Sequence, residues 1–386
     1  MKKKVTIFGS TGSIGISTLD IIKDHPDKYE IVGLSINNNY EKLLEQVLIY
    51  KPKVVSIKNE DSFKKFKELN KLNNLQILNG SESYGEILEN DTDIVVAAIT
   101  GSAGLLPVVA AIRKGITIAL ANKESLVCSG SLITSLAKES GALILPIDSE
   151  HNAIYQVLDE KNRSKISKLI LTASGGPFLN KKVSELKDIT PEQAIKHPNW
   201  SMGKKISVDS ATMMNKGLEL IEAHYLFDIP EKKIEIIIHP ESIIHSCVEY
   251  TDGSILSQMG NPDMRTPISY ALAYPQRIST SVEKLKLGSI NKLTFFEPDF
   301  NKCPCLELAY SSLKIKRSAP TVLNASNEVA VDAFLNKQIK YLSIPQIVEK
   351  TLNKASISDI NSIKDVIEID EDSRGIAKDL ISSGKF

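Results

Sequence analysis

Three stretches of this chain carry residue types whose spacing matters for chemistry. The first is Gly9-Ser10-Thr11-Gly12-Ser13-Ile14-Gly15, which follows the apolar run Val5–Phe8 and leads into a segment bearing Leu19, Ile21 and Ile22. A glycine-rich turn between strand and helix lets the backbone approach a pyrophosphate, which the free amides and the positive helix end then hold. The spacing is G-x-x-G-x-x-G rather than the commoner G-x-G-x-x-G. Alone it could serve only tight packing, but the strand before and the helix after favour a nucleotide site. The phosphates are expected on Thr11, Gly12, Ser13 and Ile14. The second apolar run ends in Ser35-Ile36-Asn37-Asn38-Asn39. No carboxylate is there to grip a ribose 2′-hydroxyl and no lysine or arginine to hold a 2′-phosphate, so these residues leave NAD and NADP equally open.

The second stretch is Asp148-Ser149-Glu150-His151, at the end of the apolar run Leu143–Ile147. Read as extended chain, positions 148 and 150 point the same way and put two carboxylates on one side. In the third, Asn215 and Glu219 stand four apart on a helical stretch, Lys216–Leu226, and share a face. Three converging carboxylates require a cation, and all-oxygen ligands suit Mg2+ or Mn2+ rather than Zn2+. Helix caps and salt bridges are the ordinary alternatives, and Glu222, one turn beyond Glu219, is a rival ligand.

Further polar groups fit an anionic ligand. Leu171–Pro177 leaves a strand into the pair Gly175-Gly176, which offers amides and the Ser174 hydroxyl to an anion or makes a plain turn. Ser210, Asn215 and Lys216 are expected at or just before a helix start, where they would bind a phosphate or simply cap the helix. The loop His197–Gly203 carries the only tryptophan, Trp200, as a lid that excludes water or as a core anchor. His224 and His245 read as structural, and His25, before Pro26, has no evident role.

These residues need a scaffold, and 386 residues are enough for two or three domains. Up to about residue 147, the runs Val5–Phe8, Ile31–Ile36, Val54–Ile57, Ile94–Ile99, Ile116–Leu120 and Leu143–Ile147 alternate with amphipathic stretches such as Glu41–Ile49. That pattern predicts an α/β fold with a doubly wound, Rossmann-like parallel sheet. The middle is expected to be α+β, with Ile243–Tyr250 and Ile255–Met259 joined by the hairpin signal Asp252-Gly253. Beyond 304 the chain reads as a helical bundle. The expected domains are 1–147 for the nucleotide, 148–276 for catalysis with the metal site and lid, a linker over 277–303, and helices over 304–386.

Composition narrows the function classes. Lys plus Arg and Asp plus Glu number 47 each, so no global field would hold nucleic acid. No run approaches the ~18 apolar residues of a membrane span. The chain enters its first strand directly after Met1-Lys2-Lys3-Lys4, which predicts a cytoplasmic protein, and a processed organellar form would look the same. Cys128, Cys247, Cys303 and Cys305 lack zinc-ribbon spacing and read as reduced structural thiols.

Seven motifs taken in order resemble the 1-deoxy-D-xylulose 5-phosphate reductoisomerases: GSTGSIG, LANKESLV, PIDSEHNAI, SGGPF, HPNWSMGKKISVDSATMMNKGLELIEAH, IHPESIIHS and QMGNPDMRTPI. The resemblance implies reductive isomerisation of a 2-ketose phosphate to 2-C-methyl-D-erythritol 4-phosphate, at the entry to non-mevalonate isoprenoid synthesis, with NADPH and Mg2+ or Mn2+. It places metal ligands on Asp148, Glu150 and Glu219. It places substrate contacts on Lys123, Ser149, Ser174, His197, Ser210, Asn215, Lys216 and Glu219. Cofactor contacts fall on Thr11, Gly12, Ser13, Ile14, Asn37, Asn38, Asn39, Asn122, Glu124 and Gly203, and Trp200 and Met202 match a flexible lid. Lys123 and His197 join the metal ligands as catalytic groups, and a homodimer is implied. Members often carry a basic residue within 37–39, where this chain has asparagines. The rival reading is a metal-independent NAD(P)-dependent reductase of a small phosphorylated metabolite, for which the carboxylate cluster would be unnecessary.

Overall fold

The computed structural model describes residues 1–80, 82–200 and 202–384. The chain forms two compact units. The first comprises Met1–Ser125, Ile133–Asn152 and Met264–Val282; the second comprises Leu126–Leu132, Ala153–Asp263 and the chain from Glu283 onward.

The first unit is built on seven parallel strands: β1 (Lys3–Phe8), β2 (Tyr29–Ile36), β3 (Val54–Ile57), β4 (Gln76–Asn79), β5 (Ile94–Ala97), β6 (Thr117–Leu120) and β7 (Ile144–Pro146). Their order is β4-β3-β2-β1-β5-β6-β7. The chain winds outward from β1 to β4, then returns to the other side of β1, which leaves a switch point at the carboxyl ends of β1 and β5. Val5, Ile7, Leu34, Val55 and Val96 are fully buried, as strands covered on both faces require. β4 is absent from the sequence expectation. It is an edge strand of Gln76-Ile77-Leu78-Asn79 with no fully buried residue, so it carries no apolar run.

The segment 264–282 also differs from expectation. Its helix Arg265–Ala273 packs on helix Ser13–Asp24, and Lys3 Nζ donates to the Leu272 carbonyl at 2.8 Å. His25 gains a role here: its Nε2 lies 2.8 Å from the Ser279 carbonyl and ties that segment to the end of the first helix.

The second unit has a four-stranded sheet in the order β11-β10-β8-β9, formed by β8 (Ile166–Ala173), β9 (Ile234–Ile238), β10 (Ile244–Tyr250) and β11 (Ile255–Met259). β8 and β9 run parallel while β10 is antiparallel to both β8 and β11, so this part is α+β. Helices Pro304–Ile315, Ala319–Leu335, Ser343–Lys354 and Ile363–Ser382 form the C-terminal bundle. The bundle shares one core with the sheet: Leu169, Leu171 and Ile221 belong to the same apolar cluster as Leu306, Leu323, Phe334 and Ile347.

Two local expectations are corrected. Asp148 and Glu150 do not lie on extended chain, because helix Ser149–Val157 begins there and the Asn152 amide donates to the Asp148 carbonyl at 2.8 Å. Asp and Glu are favoured at a helix N-terminus, where their charge meets the positive end of the dipole. Ser210 does not precede the Met214–Phe227 helix directly; it lies in the last turn of a separate helix, Lys204–Ala211.

Candidate active site

At the end of β1 the chain turns on Gly9, whose φ of +87° only glycine adopts without strain. The amides of Gly9 and Ser10 both donate to the Ser35 carbonyl, at 2.8 and 3.0 Å. Helix Ser13–Asp24 then begins at Gly12 with no side-chain cap, so its first amides face outward uncapped. A Cβ on Gly15 would lie 2.4 Å from the Gly9 carbonyl oxygen, whereas one on Gly12 would meet that oxygen at 3.4 Å. Gly15 thus closes the helix onto the turn, and Gly12 leaves its outer surface open. This cradle fits a dinucleotide pyrophosphate.

Asn37, Asn38 and Asn39 are exposed just beyond β2. The Asn39 side chain is partly committed, since it caps helix Tyr40–Tyr50 by accepting the Lys42 amide at 3.2 Å.

β6 and β7 are neighbours, and the residues that follow them meet. Asn122 is buried, donates to the Gly101 carbonyl at 2.9 Å and to Glu124 at 3.0 Å, and accepts the Ser125 amide at 3.0 Å. Lys123 pairs with Asp148, with only 6% and 14% of their side chains exposed. Ser149 donates its hydroxyl to Glu150 at 2.5 Å. A lysine–carboxylate pair so far withdrawn from water loses solvation that its mutual attraction only partly restores. Such pairs mark candidate functional sites.

The second unit brings together a different set. After β8, Gly175 and Gly176 both adopt positive φ, and a Cβ on Gly176 would lie 2.8 Å from the Ser210 carbonyl oxygen. The glycine pair therefore packs against the end of the helix that carries Ser210. Ser174 Oγ lies 2.9 Å from His197 Nε2 and accepts the Gly176 amide at 3.2 Å. His197 Nδ1 accepts the amides of Asn199 and Trp200, at 3.2 and 3.0 Å. In the neutral imidazole this puts the proton on Nε2, which then donates to Ser174. With two donors on its oxygen, Ser174 has its own proton left to give to an anion.

Asn215 donates to Glu219 at 2.6 Å and Lys216 forms an ion pair with the other oxygen of Glu219, all within the first two turns of helix Met214–Phe227. Lys216, Glu219 and Glu222 are buried at 4%, 1% and 0% exposure. The i, i+4 face expected for Asn215 and Glu219 is present. The Asn199 side chain donates to the Pro240 carbonyl and to Ser242, at 2.8 and 2.9 Å, which anchors one end of the loop bearing half-buried Trp200. The Trp200 ring is tilted toward His245 at 6.2 Å between centroids. Gly203, exposed, starts the Lys204–Ala211 helix in this unit.

Asp209 gives no sign of importance in the sequence, yet it is 1% exposed, pairs with Lys205 at 2.8 Å and accepts the Asn327 amide at 2.8 Å. It fixes the helix that presents Ser210. Burial pushes the Cys247 and Cys303 thiols up to about 11, so these two stay protonated.

Three family models match the chain: 1-deoxy-D-xylulose 5-phosphate reductoisomerase over residues 5–130, its C-terminal domain over 144–227, and the DXP reductoisomerase C-terminal domain over 259–376. The 1-deoxy-D-xylulose 5-phosphate reductoisomerase of Chlorobium phaeobacteroides is 48% identical over 380 residues, covering 98% of this chain and 99% of that protein. Its counterpart in Geotalea daltonii is 49% identical over 382 residues, covering 99% and 100%. Among solved structures, the Zymomonas mobilis reductoisomerase in complex with NADPH superposes with a TM-score of 0.93 at 45% identity, covering 99% of this chain and 100% of that one. A reductoisomerase in complex with NADPH, fosmidomycin and magnesium gives 0.94 at 43% identity, covering 98% of each.

Proposed function

The chain belongs to the 1-deoxy-D-xylulose 5-phosphate reductoisomerase family, and from that premise we infer which of its residues hold the cofactors and the sugar phosphate. It is an NADPH-dependent oxidoreductase that rearranges and reduces 1-deoxy-D-xylulose 5-phosphate with a divalent metal. The observation that carries this reading is identity of 48–49% over 98–99% of the chain. A metal-independent reductase is not favoured, because relatives matched over their whole length carry the reductoisomerase name.

Asp148, Glu150 and Glu219 hold the metal. All are carboxylates, the hard oxygen donors that Mg2+ or Mn2+ prefers. Each also has a partner that orients it: Lys123 for Asp148, Ser149 for Glu150, and Asn215 with Lys216 for Glu219. When bound, such a cation polarises adjacent carbonyl and hydroxyl oxygens of the substrate and stabilises negative charge developing there. Lys123 adds a fixed positive charge at the end of β6. Ser174 donates its hydroxyl to the substrate phosphate and His197 orients that hydroxyl, while Ser210, Asn215 and Lys216 complete the anchor. Binding energy from this remote group orients the reacting carbons.

Thr11, Gly12, Ser13 and Ile14 line the cofactor pyrophosphate, with the amides of Ser13 and Ile14 at the uncapped helix start donating to it while the Gly12 amide stays on the Gly9 carbonyl at 3.1 Å; Asn37 to Asn39 face its adenosine ribose, and Asn122, Glu124 and Gly203 make the remaining contacts. By role, 1–147 serves the nucleotide, 148–263 the metal and sugar phosphate, and 304–386 supports, while 264–282 belongs with the first unit rather than with catalysis or a linker. Following NADPH absorbance with 1-deoxy-D-xylulose 5-phosphate tests the whole reading. Consumption is expected with Mg2+ or Mn2+ and not in chelator; equal rates in both would remove the metal from the reaction.

Trp200 closes over bound substrate as a lid. Its fluorescence should change when fosmidomycin is added, since the indole would leave water for the ligand. Binding established by calorimetry with no change in emission would make Trp200 a static anchor.

A homodimer forms along β11. This strand lies at the open edge of its sheet, with Ile255, Leu256 and Met259 exposed at 54%, 46% and 36%, and an unpaired apolar edge invites a second strand. Leu256→Lys should shift the sedimentation mass toward monomer; an unchanged dimer would place the interface elsewhere. The compartment proposed is the cytoplasm. Cysteines that form no disulfide suit reducing conditions, and among the described residues no helix is long and apolar enough to cross a membrane.

A further inference from the structure

The loop that follows β2 carries three asparagines where a 2′-phosphate would need a cation, and the neighbouring strand bears one. β3 pairs with β2 in parallel through Ile36 and Ile57. The pairing continues past both strand ends, with the Lys58 amide donating to the Ile36 carbonyl and the Asn59 amide to the Asn37 carbonyl, each at 3.0 Å. The Lys58 backbone therefore lies one strand spacing, about 4.8 Å, from the loop that faces the adenosine ribose in doubly wound sheets. A four-carbon stem spans that gap.

Both loop ends are held in place by local bonds. Asn39 and Asn59 each cap the helix that follows, accepting the amides of Lys42 and Ser62 at 3.2 and 2.9 Å, and Ser62 Oγ donates to the Asn38 carbonyl at 2.9 Å. Two asparagine side chains are thereby committed to the fold, while Lys58 is exposed at the rim. A second cation nearby, Lys65, sits over the Tyr40 ring at 5.6 Å. The acidic residue that follows Asn59, Glu60, pairs with Lys64 at 3.4 Å.

We propose that Lys58 is the specificity-determining residue for NADPH in this chain, its ammonium pairing from the adjacent strand with the 2′-phosphate that Asn37, Asn38 and Asn39 meet without a charge. This rests on the reading of the first unit as the NADPH site. The cation has moved one strand across, and the loop after β2 supplies only neutral donors.

Calorimetric titration of the full chain with 2′,5′-ADP and with 5′-AMP isolates the 2′-phosphate from the nicotinamide, and NADPH and NADH titrations repeat the comparison. Lys58→Met should weaken 2′,5′-ADP and NADPH about fivefold, the upper end for a partly exposed charge pair, and leave 5′-AMP and NADH within twofold. Asn38→Lys added to Lys58→Met should restore NADPH affinity, because it returns a cation to the same phosphate from the other strand. Equal losses for both ligands of a pair, no loss at all, or the selective loss appearing in Lys65→Met instead would each overturn the assignment. A parent protein that binds 2′,5′-ADP no better than 5′-AMP would overturn the cofactor reading beneath it.

Discussion

Glu219→Gln is expected to abolish metal-dependent turnover, lowering kcat on the order of 10³-fold or more, while Glu222→Gln one turn later retains it. A Lewis-acid cation contributes several kcal/mol of transition-state stabilisation, and each ~1.4 kcal/mol is tenfold in rate. Glutamine keeps the shape of glutamate and removes its charge, so the loss would report the ligand rather than the packing. Glu219 is gripped by Asn215 and Lys216 on the helix that begins at Met214, which fixes its carboxylate as second partners fix metal ligands. Glu219→Gln also leaves Lys216 buried beside a neutral amide, a cost expected to lower the melting temperature. Combining it with Lys216→Met removes the stranded charge. Manganese binding by calorimetry on these variants, each checked for folding by circular dichroism, reads the site directly. Retained binding in Glu219→Gln with loss in Glu222→Gln would reverse the assignment.

Gly15→Ala should both destabilise the first unit and remove NADPH binding. Its Cβ would lie 2.4 Å from the Gly9 carbonyl oxygen and 2.6 Å from Ser10 backbone atoms, and no flexible side chain can give way. Overpacking costs about 1–3 kcal/mol, and a clash with backbone belongs at the upper end, roughly a 6–12 °C fall in the melting temperature of a unit this size. Gly12→Ala provides the contrast. There the added Cβ meets the Gly9 oxygen at 3.4 Å, an ordinary contact, and the residue is exposed. Its melting temperature should stay near that of the parent, while NADPH affinity falls about tenfold because the methyl occupies the path of the pyrophosphate. If Gly12→Ala binds NADPH as the parent does, the cofactor does not pass over this turn. Equal melting of Gly15→Ala and the parent would mean that the helix shifts to absorb the methyl.

Local pattern determined much of this protein. Val5–Phe8, Val54–Ile57 and Ile94–Ala97 are buried on both faces, so each appears in the sequence as an unbroken apolar run, and their alternation with amphipathic helices is enough to call a doubly wound sheet. The glycine turn, the Asn215–Glu219 spacing and the hairpin at Asp252-Gly253 are likewise local, since the chemistry lies within a few residues. β4 escaped because an edge strand needs only half its face apolar, and the helix Lys204–Ala211 escaped because Lys-Lys-Ile-Ser-Val-Asp-Ser-Ala has no apolar stripe. At Asp148 a strand-end reading lost to helix initiation, for which Asp, Ser and Glu are equally suited.

What only the tertiary structure decided is which distant groups share protons and charges. The Nε2 proton of His197 follows from the two amides that Nδ1 accepts, and its partner Ser174 is 23 residues away. Lys123 meets Asp148 because β6 and β7 are neighbours. Lys58 stands beside Asn37 because β3 pairs with β2. Hydrophobic periodicity reports whether a residue faces a core, but it carries no information about which element lies across from it. Partner identity, and with it protonation and specificity, enters only when the strands take their order.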